Sequence, residues 1–326
     1  MNASAGSPAT AMRALRMAPP VLLLGVCTVL PLFHLGPNTV KLLFLTFVWI
    51  TASVGWNILG GFAGQISFGF AVFFGLGAYT TAVGINQGLN PYLTYPLAAA
   101  IAAFASLLIG LPTFRLRGPY FAIATIGVSE AVRVVMTNLD FTGGSSGYRI
   151  TEHGLFRQTE HYYAALALAT VAVGISMLVR YSRFGLGLRA IHDDQDAAAD
   201  SGVNPYAFKL AAHAIAAALT GAAGGVFARY AAFIDPEGVF GFQRSVGILL
   251  MPVIGGVNTI WGPVMGGGVY GVIEEEIVAK FPEFHLLLYG VLVMLIILFE
   301  PGGLMGLLAR ARRFALRKRV ASWQPS

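Results

Sequence analysis

"GWNILGGFAGQISFGFAVFFGLGAYTTA", residues 55–82, decides the class of fold. Apolar side chains and glycines fill it, and Gln65 and Ser67 stand amid apolar neighbours. The rest of the chain is built alike, with 56% apolar and only 11% charged residues in 326. A soluble core could not hide that much apolar surface behind so few charges, so composition points to an integral membrane protein.

A membrane-spanning helix needs about 20 predominantly apolar residues. Working outward from the quoted stretch with that ruler, the sequence predicts spans near 19–35, 38–59, 62–86, 91–112, 119–138, 161–180, 206–230, 244–258, 261–279 and 285–307. The third is broken by glycines and the eighth is short and holds Pro252, so either is a candidate re-entrant piece and the expected bundle has about 8–10 transmembrane helices. Non-helical backbone at membrane depth is tolerated only where protein or a water-filled cavity covers it. The organisation that follows is a segment 1–18, a transmembrane domain 19–308 and a basic tail 309–326. The apolar run from Val21, after Arg13 and Arg16, resembles a signal peptide, but no small-residue cleavage pattern follows it; a retained first span is expected.

Charge distribution orients the bundle. With ten spans and an inside N-terminus, the inner segments hold Arg13, Arg16, Arg115, Arg117, Arg180, Arg183, Arg189, Lys209 and the tail residues Arg310, Arg312, Arg313, Arg317, Lys318 and Arg319. Fewer Lys and Arg fall elsewhere, as the positive-inside tendency requires, and both termini are expected in the cytoplasm. The net charge of +6 is thus local to a tail facing anionic lipid and gives no reason to expect nucleic-acid binding. The single cysteine, Cys27, has no partner for an internal disulfide.

One inner loop, about 181–205, gathers Asp193, Asp194, Asp196 and Asp200. Its residues predict a short helix between two defined ends. Asp193 caps it with Asp196 three residues on, Gly202 supplies the left-handed stop, and Asn204 and Pro205 cap and open the next span.

In the fifth predicted span Glu130 and Arg133 lie one turn apart, where a lone charge costs about 2.5–3.5 kcal/mol on insertion scales. They are expected to pair and turn inward, either beside a substrate's charged ends or as an internal ion pair fixing two helices. Gln65 and Ser67 need polar partners, and local glycines weaken the helix around them, so 60–70 is expected to be distorted or broken beside a transport path. Glycines four apart, at 60/64, 221/225, 262/266 and 267/271, allow close helix packing. Glu274, Glu275 and Glu276 point around the end of the ninth span, so at least one must meet water or a partner.

Several of these segments resemble the branched-chain amino acid type of ABC permease, in its LivM-like branch. They are Gly61, Ala63, Gly64, Gln65, Ser67 and Gly69 of the opening stretch; "RLRGPYFAIATIGVSEAVRVVMTN" from Arg115 with "TGGSSG" at 142–147; and "GGVNTIWGPVMGG" at 255–267. Asp196, Ala197, Ala198 and Gly202 resemble the motif by which such permeases dock their ATPases, although the family's downstream I-x-L-P is replaced by "AHAIAAAL". The resemblance implies an importer subunit in a bacterial inner membrane, forming half of a path with a second related permease. Two ATPase subunits would use ATP and Mg, the alanines would sit in an ATPase groove, and an extracytoplasmic binding protein would deliver substrate. By the span topology Thr142, Gly143, Gly144 and Gly147 are expected outside, where their backbone amides are candidates to bind an anion or touch a delivery protein. The cargo stays open among branched-chain amino acids, other amino acids and small amides such as urea.

Nothing in the sequence suggests chemistry on the chain itself. It has no G-x-x-x-x-G-K-[ST], so nucleotide binding of the P-loop kind is not expected, and its six histidines lack metal-ligand spacing. No catalytic residue, bound cofactor or metal is expected. The rival class is an ion-coupled secondary carrier of a small polar solute, working through Glu130 or the 274–276 carboxylates.

Overall fold

The computed structural model describes residues 36–151, 158–274 and 302–310, with a few isolated helical positions beside them. Among these residues six helices are long and apolar enough to cross a bilayer: Pro37–Phe62, Pro91–Thr113, Pro119–Thr137, Gln158–Tyr181, Pro205–Ala231 and Pro236–Gly255. The chain is an all-α, multi-pass membrane protein. In chain order its helices are α1 (Pro37–Asn57, continuing as a π turn Ile58–Phe62), α2 (Phe70–Asn86), α3 (Pro91–Thr113), α4 (Pro119–Thr137) and α5 (Gln158–Tyr181). There follow α6 (Arg183–Asp193), α7 (Gln195–Asp200), α8 (Pro205–Ala231), α9 (Pro236–Phe240), α10 (Phe242–Gly255) and α11 (Gly262–Ile273).

Proline sets many of these boundaries. It occupies the first position of α1, α3, α4, α8 and α9, where its missing N–H forfeits no helical bond. Ahead of three of them a side chain takes up a free amide: Asn90 accepts from Tyr92, Asn204 from Ala207 and Asp235 from Gly238. Five predicted spans coincide with α1, α3, α4, α5 and α8. The third begins only at Phe70, after an irregular stretch, and the eighth is longer than expected because α9 joins α10. The predicted first and tenth spans fall largely outside the described residues, as do Cys27 and most of the basic tail.

Successive helices run up and down between two ends. At one, which we call the hairpin end, strand β1 (Tyr148–Arg149) pairs antiparallel with β2 (Phe233–Ile234). Asn86 ties α2 to it, donating to the Arg149 carbonyl at 2.8 Å and accepting from Thr151 N–H at 2.8 Å. Gln158 binds the Pro37 carbonyl at 2.7 Å, bringing the starts of α1 and α5 together. At the other, the loop end, α6 and α7 lie near the entries of α4 and α8: Arg117 meets Asp196 at 3.1 Å and Tyr206 donates to the Leu111 carbonyl at 2.9 Å.

The core forms where α8 packs between α2 and α3 and also against α1. Backbone approach is closest at α2 and α8: a Cβ on Gly77 would stand 1.9 Å from the Gly221 carbonyl, and one on Gly224 1.9 Å from that of Phe74. Gly221 and Gly225 therefore act as the small-residue spacing implied. Gly267 and Gly271 do so against Ile50 and Thr46 of α1, and Gly266 against the Met251 carbonyl of α10. Gly60 and Gly64 do not, because the helix breaks between them. In contrast to α1, whose most apolar stretch is 78% buried, that of α4 is 22% buried, so α4 lies at the edge of the chain.

Candidate functional site

Four features converge on how this bundle could open a path. The first is the broken helix. After the π turn, residues 63–69 run without regular structure, Gly64 holds φ +69°, and α2 starts afresh at Phe70. Each freed backbone group named here finds a partner: Gln65 N–H reaches the Leu59 carbonyl (3.2 Å) and Trp56 Nε1 donates to the Ser67 carbonyl (2.8 Å). Phe68 N–H donates to Thr125 Oγ1 (3.0 Å), Gly69 N–H to Ser67 Oγ (3.2 Å) and Ala71 N–H to Ser245 Oγ (2.9 Å). The break is a fixed feature bound to α4 and α10. Ser67, expected to need a partner, has one; Gln65 is half-buried. Ser67, Thr125 and His213 also line a cavity of about 10 Å³ beside the break, room for roughly one water.

The second is a polar knot at the loop end, which joins two of the quoted motifs. Asn57 donates to the Thr259 carbonyl at 2.9 Å and accepts from Asn258 N–H at 3.1 Å. Arg180, at the end of α5, donates to Asn258 Oδ1 at 2.7 Å and lies over the Phe62 ring. Neither asparagine was singled out from sequence. The signal available was a carboxamide inside an apolar run, which needs partners as Gln65 and Ser67 do.

The third is the acidic loop. It forms two helices, α6 and α7, and the cap of the second is Asp194, which accepts from Asp196 and Ala197 N–H at 2.9 Å each. Asp193 instead ends α6, which Ser182 caps, so the expected single helix starting at Asp193 is corrected. The residue after a kink is extended, and only that backbone aims a carboxylate back at the next turn's amides. Gly202 has φ +86°, the left-handed stop expected of it. Asp196 and Ala197 are exposed, whereas Ala198 is buried against the chain itself. Lys209 of α8, also buried, donates to Gln195, and His192 lies against Gly64. The loop therefore touches the broken helix directly.

The fourth is a line of charge at membrane depth. Arg133 donates to Glu130 through Nε (3.0 Å) and Nη2, and through Nη1 to Glu237 of α9 (2.7 Å). The expected pair forms and joins two elements, but it does not turn inward: the Glu130 side chain is 53% exposed. Behind it, Arg244 is enclosed. Its Nε and Nη2 donate to the Gly238 carbonyl, and its guanidinium lies over Trp49, Phe74 and Phe227 at 4.8–5.4 Å. Glu274 stands 4.0 Å away, giving that carboxylate a charged neighbour; Glu275 and Glu276 lie outside the described residues. The roles of Glu237 and Arg244 arise from the α9–α10 turn, which sequence periodicity does not show. At the hairpin end Thr142 is buried and donates to the Leu139 carbonyl at 2.9 Å, while Gly143, Gly144 and Gly147 take positive φ.

Comparison with known proteins now adds to this geometry. The profile of a family described as "Branched-chain amino acid transport system / permease component" matches residues 38–298. The high-affinity branched-chain amino acid transport system permease protein LivM of Salmonella typhimurium is 30% identical over 305 residues, covering 84% of this chain and 71% of that protein. LivM of Escherichia coli matches with the same figures. A probable LivH permease of Methanocaldococcus jannaschii is 26% identical over 286 residues, 80% of this chain and 86% of its own. No solved structure matches. With the profile covering most of its length, and LivM relatives 30% identical over 84% of it, this chain belongs to the family of permease components of branched-chain amino acid transport systems.

Proposed function

We propose that this chain is one transmembrane subunit of an ATP-driven importer of branched-chain amino acids, and that α6–α7 is the lever through which separate ATPase subunits move it. The contact of His192 with Gly64 carries this proposal. A subunit docking on the exposed Asp196 and Ala197 would push on the break in the helix, and through Lys209 and Asn204 on α8. The loop end is then the cytoplasmic one, where Arg115, Arg117, Arg180, Arg183 and Arg189 collect. A second related permease completes the path, and an extracytoplasmic binding protein delivers substrate at the hairpin end, near Thr142 to Gly147. The ATPases supply ATP and Mg chemistry; this chain supplies half of the path in a bacterial inner membrane.

Tryptophan at Ala197 tests the lever, because Ala197 is exposed and its neighbour Ala198 is not. The Ala197→Trp subunit is expected to fold and insert while losing at least tenfold in capture of its co-expressed ATPases. Undiminished capture would remove α7 from the interface. Leucine uptake that survives loss of the Walker lysine in every associated ATPase would favour a secondary carrier instead.

A further inference from the structure

The triad of Glu130, Arg133 and Glu237 carries one surplus negative charge on a surface that the chain leaves open. Side-chain exposure is 53% for Glu130, 26% for Arg133 and 73% for Glu237. Glu130 lies about 10 Å inside the hairpin end of α4, at 1.5 Å per residue. Hydrocarbon does not accommodate such a group: intramembrane charges face a bundle interior or a water-filled cavity.

A second observation marks the same seam. Phe68, in the broken helix, binds Thr125 of α4 and stacks on Phe242, the first residue of α10, at 6.1 Å. Beside it Ile66, on non-helical backbone, is 52% exposed. Irregular backbone at membrane depth also requires cover by protein or water. Below Glu130 the exposed face of α4 runs through Gly127, Ile123 and Tyr120. A Cβ added at Gly127 would meet nothing within 4 Å. The strip is thus charged above, open in the middle and apolar below.

We infer that this face of α4 is a wall of the substrate path, where the surplus carboxylate of the Glu130–Arg133–Glu237 triad takes the ammonium group of an aliphatic amino acid whose side chain lies over Gly127 and Ile123. This rests on the proposed importer function and assigns the substrate's position within it. Arg133 holds Glu130 through both carboxylate oxygens and Glu237 through Oε2, which aims the two groups together and leaves Glu237 Oε1 turned to the open side.

The test uses the complex with its co-expressed partner subunits in liposomes, in a Cys27→Ser background. Gly127→Cys and Ile123→Cys are expected to react with a charged, membrane-impermeant thiol reagent at least tenfold faster than Phe104→Cys, which is exposed on α3. Leucine, with ATP and the binding protein, is expected to slow that reaction, whereas 4-methyl-2-oxopentanoate, which lacks the ammonium, leaves it unchanged. Glu237→Gln is expected to cut leucine uptake at least tenfold, with Glu237→Asp recovering part of it. Thiols at 123 and 127 as unreactive as that at 104, in a complex that still imports leucine, would overturn the assignment and leave the importer standing. Equal protection by the keto acid would overturn the ammonium contact. A wild-type complex that hydrolyses ATP yet moves no amino acid would sink the importer function itself. Should Glu237→Gln fail to assemble, the thiol arm decides, since it keeps all three charged groups.

Discussion

Glycine shows how far one atom matters in this bundle. At Gly224 a Cβ would come within 1.9 Å of the Phe74 carbonyl, a backbone atom that cannot swing away, so α2 and α8 would have to separate. At Gly174 of α5 the same Cβ meets nothing within 4 Å, and alanine there only stiffens a helix. Gly224→Ala is therefore expected to destabilise by at least about 1–3 kcal/mol as overpacking does, and Gly174→Ala to stabilise by up to about 1 kcal/mol through helix propensity. Thermal unfolding of the purified variants in one detergent reads both, and a lower midpoint for Gly174→Ala would contradict the packing described. Sequence spacing identified the Gly221/Gly225 pair but paired Gly60 with Gly64 equally readily. Four-residue spacing carries no information about whether the helix continues between its ends, which depends on Trp56, Thr125 and Ser245 supplying bonds from elsewhere. Polar residues were legible one at a time, as groups needing partners; which partner, as with Asn57 and Asn258, is fixed only by three-dimensional contact.

At the scale of elements, the α6–α7 segment between α5 and α8, the proposed lever, is short, and its geometry depends on a few polar contacts. Helix α7 has six residues, too few to be stable alone, so the Asp194 cap and the Lys209–Gln195 bond hold it in register with α8. Arg117–Asp196 is exposed at both ends and contributes little. Asp194→Ala should remove about 0.5–2 kcal/mol of capping, which corresponds to amide exchange at Ala197 to Ala199 faster by about tenfold. Asp193→Ala, at a residue that caps nothing, should leave those amides unchanged. Exchange measured by mass spectrometry on the assembled complex separates the two, and equal effects would restore Asp193 as the cap. Four aspartates in eight residues announced a capped element, but choosing among adjacent carboxylates needs the backbone kink at Asp194, which no residue type announces.

For the whole molecule, the up-and-down order follows from the sequence because hydropathy and proline starts mark most crossings. The pieces that it blurs, α2 and the α9–α10 pair, are those where the chain is broken on purpose of geometry: a late start at Phe70 and a turn at Gly241. The single crossing of α5 keeps 139–151 and 183–204 at opposite ends, with Asn86–Arg149 at one end and Arg117–Asp196 at the other. The proposed sidedness rests on charge, since arginines cluster at the loop end, and it can be measured. In a Cys27→Ser background, Ser145→Cys and Asp200→Cys each place an exposed thiol at one end. An impermeant maleimide should label position 145 and not 200 in right-side-out vesicles, and the reverse in inside-out vesicles. If both are labelled from one face, α5, which separates the two positions, does not cross the membrane, and the proposed division into a hairpin end and a loop end falls. If both react from opposite faces but 200 from outside, the fold stands and the charge argument for its orientation falls.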